Sequence, residues 1–265
     1  MLRQKINKGW LFYPDIEHPL YGGNNKRIKV DLPHDYSISQ KRDPNTEAGA
    51  ANAFYPGGIG CYEKALFIPK EWEGKAINLQ FEGVYMNAAI YINEQLIKRQ
   101  HSGHTSYNCN ITSYVKFGTD NYIKITVNNS AVPSSRWYSG LGIYRHVWLE
   151  VRDKISIPPF GVFFRSSNVS KSKADILVET KWQNQTAQSE RIKLKTVLRD
   201  TTRKCVAKDM VSIDLKAETI KTVEQELSLH SPNLWSVDSP YLYTLESTVV
   251  VNEKRKNEVL TQVGV

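Results

Sequence analysis

RWYSGLGIYRHVWL, residues 136–149, sets a Trp-Tyr pair and two turn glycines directly ahead of an alternating run. From Ile143 onward, Ile143, Arg145, Val147 and Leu149 fall on one face and Tyr144, His146, Trp148 and Glu150 on the other, the period of a pleated strand. Gly140 and Gly142 accept backbone angles that other residues resist, so Trp137 and Tyr138 are predicted on a tight, preset loop that feeds this strand. Aromatics held in that way suit two tasks. They can stack on sugar rings, which are apolar on the face and hydroxylated at the rim, or they can pack a core or an interface.

Outward from this stretch the chain reads as short strands separated by turns. Strands are predicted at residues 5–13, 61–68, 76–81, 88–92, 95–99, 122–127 and 143–151, with Asn93 and Glu94 as a hairpin turn. Residues 22–27 and 42–53 read as polar loops, and a loop of the latter length in a compact sandwich is often functional. Pro158 and Pro159 mark a boundary, so the domains are predicted as residues 1–153 and 154–265. Beyond it, strands at 175–182, 192–199, 210–215, 222–229 and 242–251 have an immunoglobulin-like number and spacing. No long stretch keeps a 3.6-residue period. The predicted class is therefore all-β, two sandwiches in series.

Charge narrows the function classes. The 35 Lys and Arg against 27 Asp and Glu give +8, but residues 1–153 hold 18 basic and 14 acidic side chains and residues 154–265 hold 17 and 13. An excess spread so evenly argues against a phosphate-binding stripe and a nucleic-acid partner. The densest basic runs, 193–204 and 254–256, read as solvated strand faces. Cys61, Cys109 and Cys205 are too few and too scattered for a disulfide framework or a metal site, and read as buried small side chains. His101 and His104 lack further ligands in a metal pattern. No window has the apolar length of a membrane span, and MLRQKINKGWLF lacks the apolar run of a signal peptide, so the compartment stays open. The sequons at Asn110, Asn128, Asn168 and Asn184 matter only in a secretory host.

With these blocks on the page, RWYSGLGIYRHVWL resembles the N-terminal signature of glycoside hydrolase family 2, the family of β-galactosidases, β-glucuronidases and β-mannosidases. DLPHDYSI (31–38), YPGGIGCYEKALFIP (55–69), LQFEGVYMNAAIYINEQLI (79–97), GHTSYNCNIT (103–112) and SPNLWSVDSPYLYTL (231–245) are similar to further family blocks, in the family's order. The resemblance implies a jelly-roll, galactose-binding-like β-sandwich followed by an immunoglobulin-like β-sandwich. It also implies that a catalytic (β/α)8 barrel, which alone takes about 250 residues, follows the closing TQVGV. A retaining glycosidase of this kind needs two carboxylates roughly 5 Å apart. The family carries both on its barrel, so the resemblance assigns no catalytic residue, cofactor or metal ligand to these 265 residues.

The family uses loops of its first sandwich to close the pocket around a terminal β-glycoside, with an Asp ahead of the RWY signature. Here that stretch reads TVNNSAVPSSRWY, which puts Asn128 or Asn129 at the expected Asp. An amide bonds hydroxyls as donor and acceptor but brings no negative charge. Asn128, Asn129, Arg136, Trp137 and Tyr138 are the candidate substrate-binding residues. Arg136 has two readings, a bond to sugar hydroxyls or a carboxylate that pins the loop. His34 and Asp35 read as a structural turn after Pro33, because strand neighbours point to opposite faces and make a poor acid/base dyad. Trp235 reads as packing under Pro240 and Tyr241. Without its barrel the chain would expose apolar surface around Trp137, Tyr138 and Leu141, a patch that favours self-association. The alternative class is a stand-alone carbohydrate-binding or adhesive module.

Overall fold

The structure, a computed structural model, describes residues 2–14, 27–131, 137–251 and 254–265. It divides into two compact units, Leu2–Val151 and Arg152–Val265. Both are β-sandwiches, a jelly roll and then an immunoglobulin-like domain, joined internally by turns and three short 3-10 segments.

The first unit contains β1 (Leu2–Lys5), β2 (Trp10–Pro14), β3 (Ile28–Val30), β4 (Gly58–Ile68), β5 (Ala76–Phe81), β6 (Ala88–Ile92), β7 (Gln95–Gln100), β8 (Tyr107–Asn110), β9 (Thr119–Asn129) and β10 (Val147–Arg152). One sheet runs β3-β2-β4-β9-β6-β7 and the other β1-β10-β5-β8. Alternation decides their inner faces. On β9, Ile123, Ile125 and Val127 point inward, as do Ile77, Leu79 and Phe81 near or on the opposite sheet's β5, where the run is more continuously buried. Trp10, Phe12, Tyr62 and Ile90 fill the layer between, each fully buried. Burying a side chain of this size contributes roughly 1.5–3 kcal/mol. The Trp10 indole N–H is satisfied by the carbonyl of Ile6 at 2.7 Å.

Two predicted strands differ in the structure. The run 5–13 is split into β1 and β2, which belong to different sheets. Residues 6–9 carry the chain across, with the Ile6 amide bonded to Val147 and the Leu32 amide to Asn7. The strand predicted from Ile143 starts only at Val147. Ahead of it, Gly142 and Ile143 accept or donate backbone bonds to Tyr85 and His34, segments outside any long ladder, and Arg145 turns to solvent despite its place in the alternation.

The second unit contains β11 (Ile155–Ser156), β12 (Val162–Ser167), β13 (Lys173–Asn184), β14 (Glu190–Arg199), β15 (Cys205–Leu215), β16 (Ile220–His230), β17 (Tyr243–Val251) and β18 (Lys254–Val263). β13 is central to one sheet, pairing with β11, β12 and β16, and the other runs β15-β14-β17-β18. β13 alternates cleanly, with Ala174, Ile176, Val178, Thr180 and Trp182 inward. A buried polar link joins strands of the two sheets: Thr196 Oγ1 donates to Gln225 Oε1 at 2.6 Å, and Gln225 Nε2 donates to Asp209 Oδ2 at 2.8 Å. Lys193 and Lys195 alternate with buried Leu194 and Thr196, so this stretch of the basic run lies on the outward face.

Three packing expectations need correction. Cys61 and Cys109 are buried, but Cys205 is exposed, since it opens β15 opposite Arg199 beside a bulge. Trp235 is half exposed; its amide donates to the Val265 carbonyl at 2.7 Å, and its ring lies against Gly264, where a Cβ would sit 3.2 Å away. The lack of a side chain at Gly264 makes room for this indole. Leu141 is 1% exposed and belongs to the interior, so it adds nothing to an apolar surface patch. Of the sequons, Asn184 is buried and bonded to the Gln188 and Lys216 carbonyls, which closes it to modification in the folded state.

Candidate functional site

Four chain segments of the first unit meet around Asp35: residues 34–37, 52–57, the end of β9 at Asn128–Ser130, and the loop 137–142. Asp35 is the acceptor that ties the first of these segments to the last. Its Oδ1 takes the amides of Ser37 at 2.9 Å and Leu141 at 3.0 Å, while Oδ2 takes the Tyr138 hydroxyl at 2.6 Å. The backbone reinforces the contact, because the His34 amide bonds the Ile143 carbonyl and the Tyr36 amide the Leu141 carbonyl. Charge-assisted bonds of this kind are short and strong, so Asp35 anchors the loop 137–142 to the turn at residues 34–37.

His34 points elsewhere. Its Nδ1 shares a 2.7 Å hydrogen bond with the Tyr62 hydroxyl, and its ring packs against Phe12 and Tyr62. Burial pulls the imidazole below its ordinary value, opposed by the nearby Asp35 charge. The same burial pushes the Tyr62 phenol far up. Adjacent in sequence, His34 and Asp35 thus serve separate tyrosines and form no dyad.

The loop 137–142 is fixed from three sides. Gly140 has φ +75°, and a Cβ there would lie 2.5 Å from Asp35 Oδ2; Gly142 has φ +142°, and a Cβ would lie 2.3 Å from the Tyr62 hydroxyl. Only glycine permits this approach of backbone to Asp35 and His34. The Ser139 amide donates to Asn52 Oδ1 at 3.2 Å, and Asn52 Nδ2 donates to the Tyr55 carbonyl at 2.9 Å. The Tyr138 ring meets Tyr55 edge-on at 5.3 Å, and Arg42 lies over the Tyr55 ring at 5.1 Å. Burial first, then the hydrogen bond to and charge of Asp35, holds the Tyr138 phenol protonated well above its usual range.

The five candidate residues divide by environment. Asn129 is buried; its Nδ2 donates to the Gly140 carbonyl at 2.7 Å, and its Oδ1 has no hydrogen-bond partner among the described residues. Asn128 Oδ1 accepts from the Ser130 amide at 2.9 Å and hydroxyl at 2.6 Å, closing a turn at the end of β9. Tyr138 is half buried against Asp35. Trp137 is 65% exposed, next to a loop whose other members are tied down. Arg136 lies outside the described residues, as does most of the loop predicted at 22–27.

Sequence reasoning missed Asp35, Asn52 and Tyr55 as the residues that position this loop. The only local signal was the Asp35-x-Ser37 spacing of a side chain capping the amide two residues on. Among the described residues, no group of three His, Cys, Asp or Glu is arranged to hold a metal ion. Among them, too, no helix is long and apolar enough to cross a membrane.

Comparison with known proteins gives a consistent result. Residues 41–152 match the profile of the glycosyl hydrolases family 2 sugar binding domain, and residues 160–265 match that of glycosyl hydrolases family 2. A β-galactosidase of Bacteroides ovatus is 32% identical over 99% of this chain and 31% of its own length. A β-glucuronidase of Bacteroides fragilis is 28% identical over 98% of this chain and 37% of its own. The crystal structure of a glycosyl hydrolase family 2 member from Bacteroides cellulosilyticus superposes with a TM-score of 0.91 at 29% identity, covering 100% of this chain and 35% of that one. The chain thus spans about a third of the length of the relatives it matches.

Proposed function

Since the chain belongs to glycoside hydrolase family 2, we propose that it is the sugar-recognising, non-catalytic part of a retaining, exo-acting β-glycosidase of the β-galactosidase type. In this reading the loop 137–142, with Asn128, Asn129, Arg136, Trp137 and Tyr138, rims a pocket for a terminal β-glycoside. The two catalytic carboxylates belong to a barrel joined to these two sandwiches. The domains divide the work at residues 153 and 154: the jelly roll supplies the rim and the immunoglobulin-like domain is a spacer.

One observation carries the proposal. Trp137 stands 65% exposed beside a loop clamped through Asp35, Tyr138, Asn129 and Asn52. Holding a large indole out of the core forgoes about 1.5–3 kcal/mol of burial, which a recognition surface explains. Preorganisation of this sort lowers the ordering cost of binding a ring against it.

The test is hydrolysis of a nitrophenyl β-galactoside. The purified 265-residue chain is expected to show none, while the same chain joined to a family 2 barrel is expected to turn the substrate over with retention of configuration. Turnover by the chain alone would overturn the assignment. So would a fused enzyme whose KM is indifferent to Trp137→Ala.

A further inference from the structure

The interior of the second unit is divided into two apolar clusters with a polar layer between them. In β13, Thr180 falls between Val178 of one cluster and Trp182 of the other; in β14, Thr196 falls between Leu198 and Leu194. The same step recurs on the remaining long strands, with Gln225 of β16 between Leu227 and Val223, and Ser247 of β17 between Leu245 and Val249. Thr180, Thr196, Gln225 and Ser247 are all buried. Because side chains two apart share a face of a strand, these polar groups point inward at one level of the sandwich. Asp209 continues the level on β15, between Ala207 and Val211, and is half-buried.

Part of this layer is satisfied from within. Asp209 Oδ2 accepts from Gln225 Nε2 at 2.8 Å, and Gln225 Oε1 accepts from Thr196 Oγ1 at 2.6 Å. The rest is not: Thr180 Oγ1 and Ser247 Oγ, on residues with no exposure, meet no hydrogen-bond partner among the described residues. Both stand beside the satisfied part. Ser247 lies directly opposite Thr196 in the pairing of β14 with β17, and Thr180 is diagonal to Gln225, since β13 and β16 pair Thr180 with Val223 and Val178 with Gln225. Directly opposite Cβ atoms are about 4.5–5.5 Å apart, a gap that one bridging water spans. The Thr196 hydroxyl proton goes to Gln225, so its oxygen keeps a lone pair to accept.

We propose that this layer is a binding site for internal water, held by Thr180 Oγ1 of one sheet and Ser247 Oγ of the other, with the Thr196 oxygen as a further acceptor. Two hydroxyls left dry inside a core cost more than the immobilisation of one water. A buried water makes about three hydrogen bonds, and these side chains supply that number. Each free hydroxyl can donate or accept, and neither carries charge, which suits water rather than an ion. The layer's carboxylate, Asp209, is at the rim and engaged by Gln225. β15 and β16 are edge strands of their sheets, so half-buried Asp209 marks the side by which water enters. The bridge joins the two sheets next to the direct link from Thr196 to Gln225, and it makes the waist of the domain a solvated layer.

A crystal structure of the native 265-residue chain, fine enough to show ordered solvent, is expected to place a water within hydrogen-bond reach of Thr180 Oγ1 and Ser247 Oγ. Magnetic relaxation dispersion of the water oxygen gives the count in solution, because it senses internal water and not hydroxyl protons. Thr180→Val with Ser247→Ala is expected to lower the dispersion amplitude by one water, whereas Thr180→Ser, which keeps the hydroxyl, is expected to retain it. Stability separates the two states as well. With the water bound, Thr180→Val loses a bond and raises the unfolding constant roughly fivefold in urea titrations. A dry layer gives the reverse, since the added methyl relieves an unpaired hydroxyl. Native crystals with a dry layer, an amplitude indifferent to the double variant, an equal loss in Thr180→Ser and Thr180→Val, or a stabilised Thr180→Val would each overturn the inference.

Discussion

Tyr138 Oη donates a 2.6 Å hydrogen bond to Asp35 Oδ2 across 103 residues of sequence. That bond, with the two amides also held by Asp35, turns an isolated loop into part of the sandwich. Through it the exposure of Trp137 is set by the strand-exit turn at residues 33–37.

Removing the phenol hydroxyl isolates this bond. Tyr138→Phe is expected to cost about 1–2 kcal/mol, and Asp35→Ala more, since it strands two amides as well. Because burial and Asp35 raise the Tyr138 phenol, the folded state holds its proton more tightly than the unfolded state. Stability from this group is whole below about pH 10 and falls as pH rises beyond it. Urea unfolding at successive alkaline pH values checks the slope, which should flatten in Tyr138→Phe. An unchanged slope would place the alkaline sensitivity in other tyrosines.

His34 works in the opposite direction. Burial lowers its value, so the neutral ring is favoured on folding. Its contribution is full above about pH 6.5 and is lost as pH falls from there through the lower folded value. Comparing the native chain with His34→Asn by chemical denaturation, the difference in stability is expected to shrink over that window. A pH-independent difference would mean that folding leaves the proton affinity of the ring unchanged, and one that grows as pH falls would mean that the fold favours the charged ring.

Gly142 is the most exacting position of the loop. A Cβ would meet the Tyr62 hydroxyl at 2.3 Å and the His34 carbonyl at 2.5 Å, at a φ of +142°. Gly142→Ala is expected to destabilise by about 3 kcal/mol or to prevent folding. Gly74→Ala is the control, since nothing lies within 4 Å of its Cβ direction. It carries a backbone penalty at φ +85° but no clash. Similar losses in both variants would show that strain alone, not the contact with His34 and Tyr62, governs Gly142.

Asn129 tests what the amide does where the family resemblance led us to expect Asp. Asn129→Asp replaces the donor to the Gly140 carbonyl at 2.7 Å with a buried carboxylate. The expected cost near neutrality is about 2–4 kcal/mol. Burial would raise that carboxyl above its unfolded value near 3.9, so the deficit should narrow as pH falls toward that value and the protonated acid can donate. Thermal unfolding of both forms at neutral and acidic pH measures this. A variant as stable as the native chain at neutral pH would mean that the site accepts the charge.

Most strands were legible because one face of each is buried. In β13 and β16, alternation alone locates the inner residues. The missed strands had weaker patterns: β3 has three residues, β8 four and β11 two, and β12 and β18 carry polar or charged ends. The misplaced start of β10 has another cause. Ile143 to His146 carry a strand's alternation, but the Ile143 and His146 carbonyls accept from the His34 and Glu82 amides, and Gly142 just before them pairs with Tyr85. Side-chain period cannot reveal where those partners lie.

For the candidate site, the sequence by itself determined the aromatic pair, the glycines that bend the loop, and the family blocks in order. These are local properties: φ restrictions and short-range alternation act within a few residues. The tertiary structure alone decided that Leu141 is buried while Trp137 is exposed, that Asn129 faces Gly140, and that Asp35 receives Tyr138. Each of these depends on which distant segment closes over the loop. Long-range pairing is set by the packing of two whole sheets, and no window of the sequence contains both partners.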